Sequence, residues 1–151
     1  MLTKKAKYAL KAALHLARLE TGEAALIAKV AMDERIPKKF LESILLTLKN
    51  RGILVSRKGR GGGYALARPA AQVSFGEIVR IMDGPLAPVA CVSVTAYRAC
   101  EECPSEEACE IRAVMKRVRD AISDVLDATT LADALRGGGR TGAKKVLREP
   151  R

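Results

Sequence analysis

Residues 53–69 read ILVSRKGRGGGYALARP. Two short runs rich in β-branched, aliphatic and aromatic residues, Ile53–Arg57 and Tyr64–Ala67, flank the tip KGRGGG at 58–63. Two such runs around a glycine-rich connection predict an antiparallel hairpin with a long tip. Glycine accepts positive φ and lets the backbone pass close to another molecule.

Working upstream, the pattern is helical. Thr3 can cap a helix to about Glu20, with Ala6, Leu10, Ala13, Leu14 and Ala17 as its buried stripe. Thr21-Gly22 ends it, and a short helix follows around Leu26 to Asp33. Pro37 suits a first helical position and opens a third helix to about Asn50, with Phe40, Leu41, Ile44, Leu45 and Leu48 facing inward. Gly52 is the stop signal. Three helices followed by a hairpin make a winged helix-turn-helix over residues 1–70, with 37–50 as the reading helix. The fold class expected is mainly α with a small β-hairpin wing, the winged helix-turn-helix being joined to a long dimerisation helix.

Composition agrees with packed helices. The 151 residues are 48% apolar, 3% aromatic and contain no Trp, so the core is Leu, Ile, Val and Ala. The basic, then apolar start MLTKKAKYALKAALHLA is interrupted by Lys11, His15 and Arg18, and no small-residue cleavage site follows, which is unlike a signal peptide. No run approaches the roughly 18 apolar residues of a membrane span. A cytoplasmic protein with no membrane partner is expected. Residues 1–68 carry 15 Lys/Arg against 5 Asp/Glu, whereas 69–136 carry 7 against 11. A basic front half beside an acidic middle is the footprint of a polyanion-binding domain joined to something else.

Downstream, Ser74 and Glu77 form a candidate capping box for a helix that runs to Met82 and stops at Gly84-Pro85, so 71–89 read as a connecting helix and loop. Residues 91–109, CVSVTAYRACEECPSEEAC, then hold every cysteine of the chain: Cys91, Cys100, Cys103 and Cys109. They define a cysteine-rich loop at 90–110. A long helix from about Glu106 to Ala128 places Ile111, Met115, Val118, Ile122 and Val125 at spacings of 4, 3, 4 and 3, a coiled-coil seam that calls for a second copy of the chain. Residues 106–136 are thus the dimerisation helix and a C-terminal helix. The glycine-rich basic tail, 137–151, is expected to be disordered.

A helix-turn-helix presents the start of its second helix to the major groove of double-stranded DNA, and a dimer suits a palindromic operator. Lys38, Lys39, Glu42 and Ser43 lie there. Lysines contact phosphates or guanine edges, and a carboxylate accepts from cytosine or repels wrong bases. Arg57, Lys58, Arg60, Gly61 and Gly62 lie on or beside the wing, where arginine goes to the minor groove or the backbone. His15, the single histidine, reads as a partly buried helix residue rather than a ligand. No catalytic triad or nucleotide loop is assembled, since GRGGG lacks the Lys-Ser/Thr ending and opens no helix. No enzyme is expected.

Four clustered thiols admit three chemistries. Thiolates hold iron–sulfur clusters. Cys100-x-x-Cys103 is half of a zinc motif whose second half is missing. Cys100 and Cys103 could also pair as a redox switch without metal.

Several separated segments resemble one family. KYALKAALHLA, IPKKFLESILLTLKNRGIL, RKGRGGGYALARP, VSFGEIVRIMDGP and the cysteine loop feeding a helix that ends DATTLADAL are similar to the Rrf-two family of winged-helix regulators, which includes IscR-like, NsrR-like and RirA-like members. The resemblance spans residues 1–135, and GGGY followed by Leu-Ala is its most specific element. It implies a homodimeric DNA-binding repressor or activator. It also implies a 2Fe–2S or 4Fe–4S cluster on three cysteines, sensing iron, redox state or nitric oxide. Cys91, Cys103 and Cys109 match the family cysteines, and Cys100 is extra. The histidine of IscR-like members is Arg112 here, and the aspartate of NsrR-like members is Lys7. Both departures leave Cys100 as the natural fourth ligand. Glu42 matches the reading-helix glutamate with which IscR discriminates its sites.

Overall fold

The structure is a computed structural model that describes residues 2–103 and 105–137. Its element order is α1 (Lys4–Ala17), α2 (Ile27–Glu34), α3 (Lys38–Asn50), β1 (Leu54–Arg57), β2 (Gly63–Leu66), α4 (Phe75–Asp83), α5 (Glu110–Ala128) and α6 (Leu131–Leu135), with single 3-10 turns at Ala70–Gln72 and Ala90–Val92. It is mostly helical, with one two-stranded antiparallel hairpin. The tail expected to be disordered lies outside the described residues except for Gly137.

Thr3 caps α1, its hydroxyl accepting from the Ala6 N–H at 3.1 Å. The helix ends at Ala17, short of Glu20, because Arg18 and Leu19 turn their N–H groups to carbonyls three residues back. Its buried face is broader than the expected stripe: Ala9, Ala12 and Leu16 join Ala6, Leu10 and Ala13, while Leu14 and Ala17 are half-buried. The small residues let neighbouring helices approach closely.

The reading helix packs Leu41, Ile44, Leu45 and Leu48 into the core, all at 0% exposure. Burying each leucine or isoleucine stabilises by about 1.5–3 kcal/mol. Phe40, expected inward, is instead exposed and stacks edge-on against Tyr8, with centroids 5.7 Å apart. Pro37 is the residue before the helix rather than its first member. Arg35, in the turn between α2 and α3, adopts a left-handed conformation with φ of 54°.

The hairpin pairs Leu54 with Leu66 and Arg57 with Gly63. Tyr64 also exchanges both backbone hydrogen bonds with Ala25, so the segment before α2 adds a one-residue third strand. A Cβ at Gly63 would run into the Ala25 carbonyl, and one at Gly62 would sit 2.5 Å from the Arg57 oxygen. These two glycines close the wing onto the domain.

Ser74 caps α4 as expected, but the box is half made, because Glu77 turns to Arg68 instead of reaching back to the cap. After α5 the chain returns to the winged domain. Ser74 and Thr130 form an isolated antiparallel bridge, and Leu131 is fully buried in the core. Thr130 and Asp133 make a complete capping box for α6, a signal the sequence reading missed.

Candidate nucleic-acid interface and cysteine cavity

The reading helix leaves Lys38, Lys39, Glu42 and Ser43 exposed on the side opposite its buried leucines. Lys38 and Lys39 lie in its first turn, beside helix N–H groups that themselves favour phosphate. The Ser43 hydroxyl donates to the Phe40 carbonyl at 2.8 Å, which leaves its lone pairs as acceptors. Lys58, Arg60 and Gly61 are exposed on the wing tip. Two wing candidates have structural duties. Gly62 is buried in the turn, its N–H donating to the Gly59 carbonyl at 3.0 Å. Arg57 donates to the Gly22 carbonyl, tying the wing to the end of α1. The Arg57 bond depends on the path of the chain between α1 and α2, which local motifs do not encode, whereas the Gly62 turn is local to the wing.

The cysteines converge. Cys91, Cys100, Cys103 and Cys109 line one cavity of about 130 Å³ together with Val89, Glu106, Ile111 and Arg112. The four are free thiols; Cys100 is exposed and the others are half-buried. Cys91 is carried on the 3-10 turn Ala90–Val92, and the Val92 carbonyl accepts from Arg119 of α5 at 2.6 Å. Cys103 follows a tight turn in which its N–H reaches the Cys100 carbonyl at 3.3 Å. Cys109 is the N-cap of α5, its sulfur accepting from the Arg112 backbone N–H at 3.4 Å. The positive end of a helix dipole suits a negative sulfur at that place. The expected helix start at Glu106 is thereby corrected: Glu106 and Glu107 belong to the loop, and α5 opens at Glu110.

Burial, and then the adjacent Cys109 thiol, hold the Cys103 thiol above its ordinary pKa. A bound cationic centre reverses that shift, because metal ligation deprotonates a thiol. Among the described residues no three His, Cys, Asp or Glu side chains stand close enough to hold a single ion. The sulfurs surround a space instead, and the donor set fits a multi-iron cluster with thiolate ligands.

Beside the cavity, Tyr97 is a group the sequence reading did not single out. The Tyr97 hydroxyl donates to Glu106 Oε1 at 2.5 Å, which raises the tyrosine pKa. Glu106 Oε2 stands 3.3 Å from Arg112 Nε. His15 sits in an ionic cluster linking α1 to the end of α2, 3.2 Å from Glu34 and 3.8 Å from Asp33.

Helix α5 exposes an apolar line, with Ile111, Val114, Val118, Ile122 and Val125 between 38% and 68% accessible. Val114 is exposed as well, and Met115 of the expected seam is half-buried. Arg119 of the same helix donates to the Val92 carbonyl.

Such a winged helix-turn-helix, with an exposed reading helix and a cysteine-lined cavity, defines a DNA-binding regulator. Residues 2–137 match the Rrf2 family model, described as an iron-dependent transcriptional regulator, and the chain belongs to that family. An rrf2-like HTH-type transcriptional regulator of Rhodobacter capsulatus is 44% identical over 99% of this chain and 100% of its own length. NsrR of Geobacillus kaustophilus is 31% identical over 99% of this chain and 98% of its own. Among solved structures, CymR, the global cysteine regulator of B. subtilis, superposes with a TM-score of 0.75 at 27% identity, covering 90% of this chain and 96% of CymR. The protein is therefore a transcriptional regulator of a DNA-binding family.

Proposed function

We propose that this regulator acts in the cytoplasm as a homodimer, binds a palindromic operator in double-stranded DNA, and senses through an iron–sulfur cluster held by Cys91, Cys100, Cys103 and Cys109. The observation that carries the reading is the convergence of all four sulfurs on one cavity. A 2Fe–2S or 4Fe–4S cluster takes four thiolate ligands and supplies reversible one-electron chemistry and sensitivity to iron, oxygen or nitric oxide. The exposed line on α5 pairs with its copy, and Lys38, Lys39, Glu42, Ser43, Lys58, Arg60 and Gly61 face the DNA. The same reading divides the chain into a DNA-binding domain at 1–70, a connector at 71–89, the cysteine loop at 90–110 and the dimerisation segment that ends at 136.

Cavity and reading head are mechanically joined. Cys109 caps α5, and Arg119 ties the middle of α5 to the turn carrying Cys91. The far end of α5 is bound to α4 through Asp127 and Arg80, and α4 to the start of α1 through Asp83 and Thr3. Filling or emptying the cavity biases this linked set and re-spaces the two reading heads.

Anaerobic reconstitution with ferrous iron and sulfide tests the reading. A brown protein with visible sulfur-to-iron absorption and bound iron and sulfide is expected. A colourless protein that binds neither would refute it. A second reading, a metal-free thiol switch, is favoured by the four free thiols lining one cavity. It requires operator affinity that follows thiol oxidation in iron-free protein.

A further inference from the structure

Arg112 carries a guanidinium whose Nε is buried and has no hydrogen-bond partner. Glu106 Oε2 is 3.3 Å away but out of line for a hydrogen bond. That carboxylate is already engaged, since its other oxygen takes the Tyr97 hydroxyl at 2.5 Å. The charge is paired with Glu106 but the N–H has no acceptor; buried N–H groups are rarely left so, and such a donor on a cavity wall points to an acceptor that belongs in the cavity. Arg112 is the one basic side chain on that wall among the described residues.

The charge requirement agrees. Four thiolates around a cluster core leave a net negative group in a pocket walled otherwise by Val89, Ile111, the sulfurs and Glu106. Burying an anion without a counter-charge is unfavourable.

We propose that Arg112 is the positioning cation of the bound cluster, donating Nε–H to one of its sulfurs, and that Glu106 opposes it as a competing anion. The inference rests on the cluster reading above and assigns a duty to two residues that ligate nothing. Net charge and hydrogen bonds to the sulfurs set cluster potentials. Reduction adds an electron to the cluster, so a nearby cation and N–H donor favour the reduced form, and a nearby carboxylate disfavours it. Arg112 therefore raises the reduction potential and Glu106 lowers it.

The test is a dye-coupled reductive titration of anaerobically reconstituted full-length protein, wild type against Arg112→Gln, Arg112→Lys and Glu106→Gln. The midpoint is expected to fall in Arg112→Gln, to recover part of the way in Arg112→Lys and to rise in Glu106→Gln. Release of iron to a ferrous chelator is expected to be several-fold faster in Arg112→Gln. Should Arg112→Gln fail to hold the chromophore, its return in Arg112→Lys would support the inference, and loss in both would overturn it. Chromophores with unchanged midpoints in Arg112→Gln and Glu106→Gln would overturn this inference while leaving the cluster reading intact. A wild-type protein with no chromophore would overturn both.

Discussion

Arg80 of α4 and Asp127 near the end of α5 meet through two parallel hydrogen bonds, Nη1 to Oδ1 at 2.5 Å and Nη2 to Oδ2 at 2.8 Å. Gly76 makes room for the pair, because a Cβ there would collide with the Asp127 carboxylate and stand 2.9 Å from Arg80 Nη1. The guanidinium holds Asp127 below the usual carboxylate range, and Thr130 with Arg136 holds Asp133 at about 2. A carboxylate with a depressed folded pKa contributes stability that is complete above its unfolded value of about 3.9 and fades as pH falls toward its folded value. Thermal stability should therefore drop between about pH 4 and 2. In Gly76→Ala the lost ion pair, worth ~1 kcal/mol or less at this exposure, opposes a helix-propensity gain of about 1 kcal/mol. We expect little change in melting temperature at pH 7 and a smaller acid-induced drop. Identical acid sensitivity in variant and wild type would show that the pair contributes nothing.

DNA binding should separate into position and sequence. Lys39→Ala and Arg60→Ala each remove one exposed cation, so affinity should fall and the salt slope should decrease by about one per lost phosphate contact. Gly62→Ala pushes the wing tip off the Arg57 carbonyl and should weaken binding with helical content preserved. Glu42→Ala should change the consensus recovered by binding-site selection more than the affinity. Wild-type salt slopes in both cation variants would remove the proposed wing and reading-helix contacts.

The winged helix-turn-helix was legible because its signals are local. Thr3 and Ser74 cap helices from within three residues, and Gly62 sits in a turn closed by its near neighbours Arg57 and Gly59. What was not legible depends on distant partners. Phe40 has the spacing of a core residue yet stacks outward on Tyr8, and the bond that ties Arg57 to Gly22 has no local signature. The four cysteines were evident as a group, but the ion pair on their shared wall was not, since Glu106 lies in the loop and Arg112 on α5, and only the turn of the chain at Cys109 brings them together.

Assembly should depend on the line through Val114 and Val118. Val118→Glu places a charge where two helices would meet, and burying it unpaired costs several kcal/mol. Light scattering should then report monomer or aggregate in place of dimer. Met115→Glu should be milder for assembly, as Met115 lies off that line. An intact dimer in Val118→Glu would move the interface to another surface.

Each cysteine should matter to the cluster, to different degrees. Cys91→Ser, Cys103→Ser and Cys109→Ser should abolish or bleach the anaerobic chromophore, because these three residues are half-buried on the cavity wall. Cys100 is exposed, and Cys100→Ser should leave a weaker, more oxygen-labile cluster in which Glu106 can substitute. A Cys100→Ser protein with the spectrum and air stability of the wild type would assign the fourth position to another ligand.

If the cysteine cavity controls the reading heads, operator affinity follows cluster occupancy. One palindromic duplex, obtained by binding-site selection, can be titrated with anaerobically reconstituted protein and with the same protein after its iron is chelated. Coupling between two sites in one protein typically amounts to about 5- to 150-fold in affinity. We expect a difference within that range between the two forms, and none in the Cys91→Ser variant. Equal affinity of the reconstituted and stripped wild-type protein would show that the cavity does not control the reading heads.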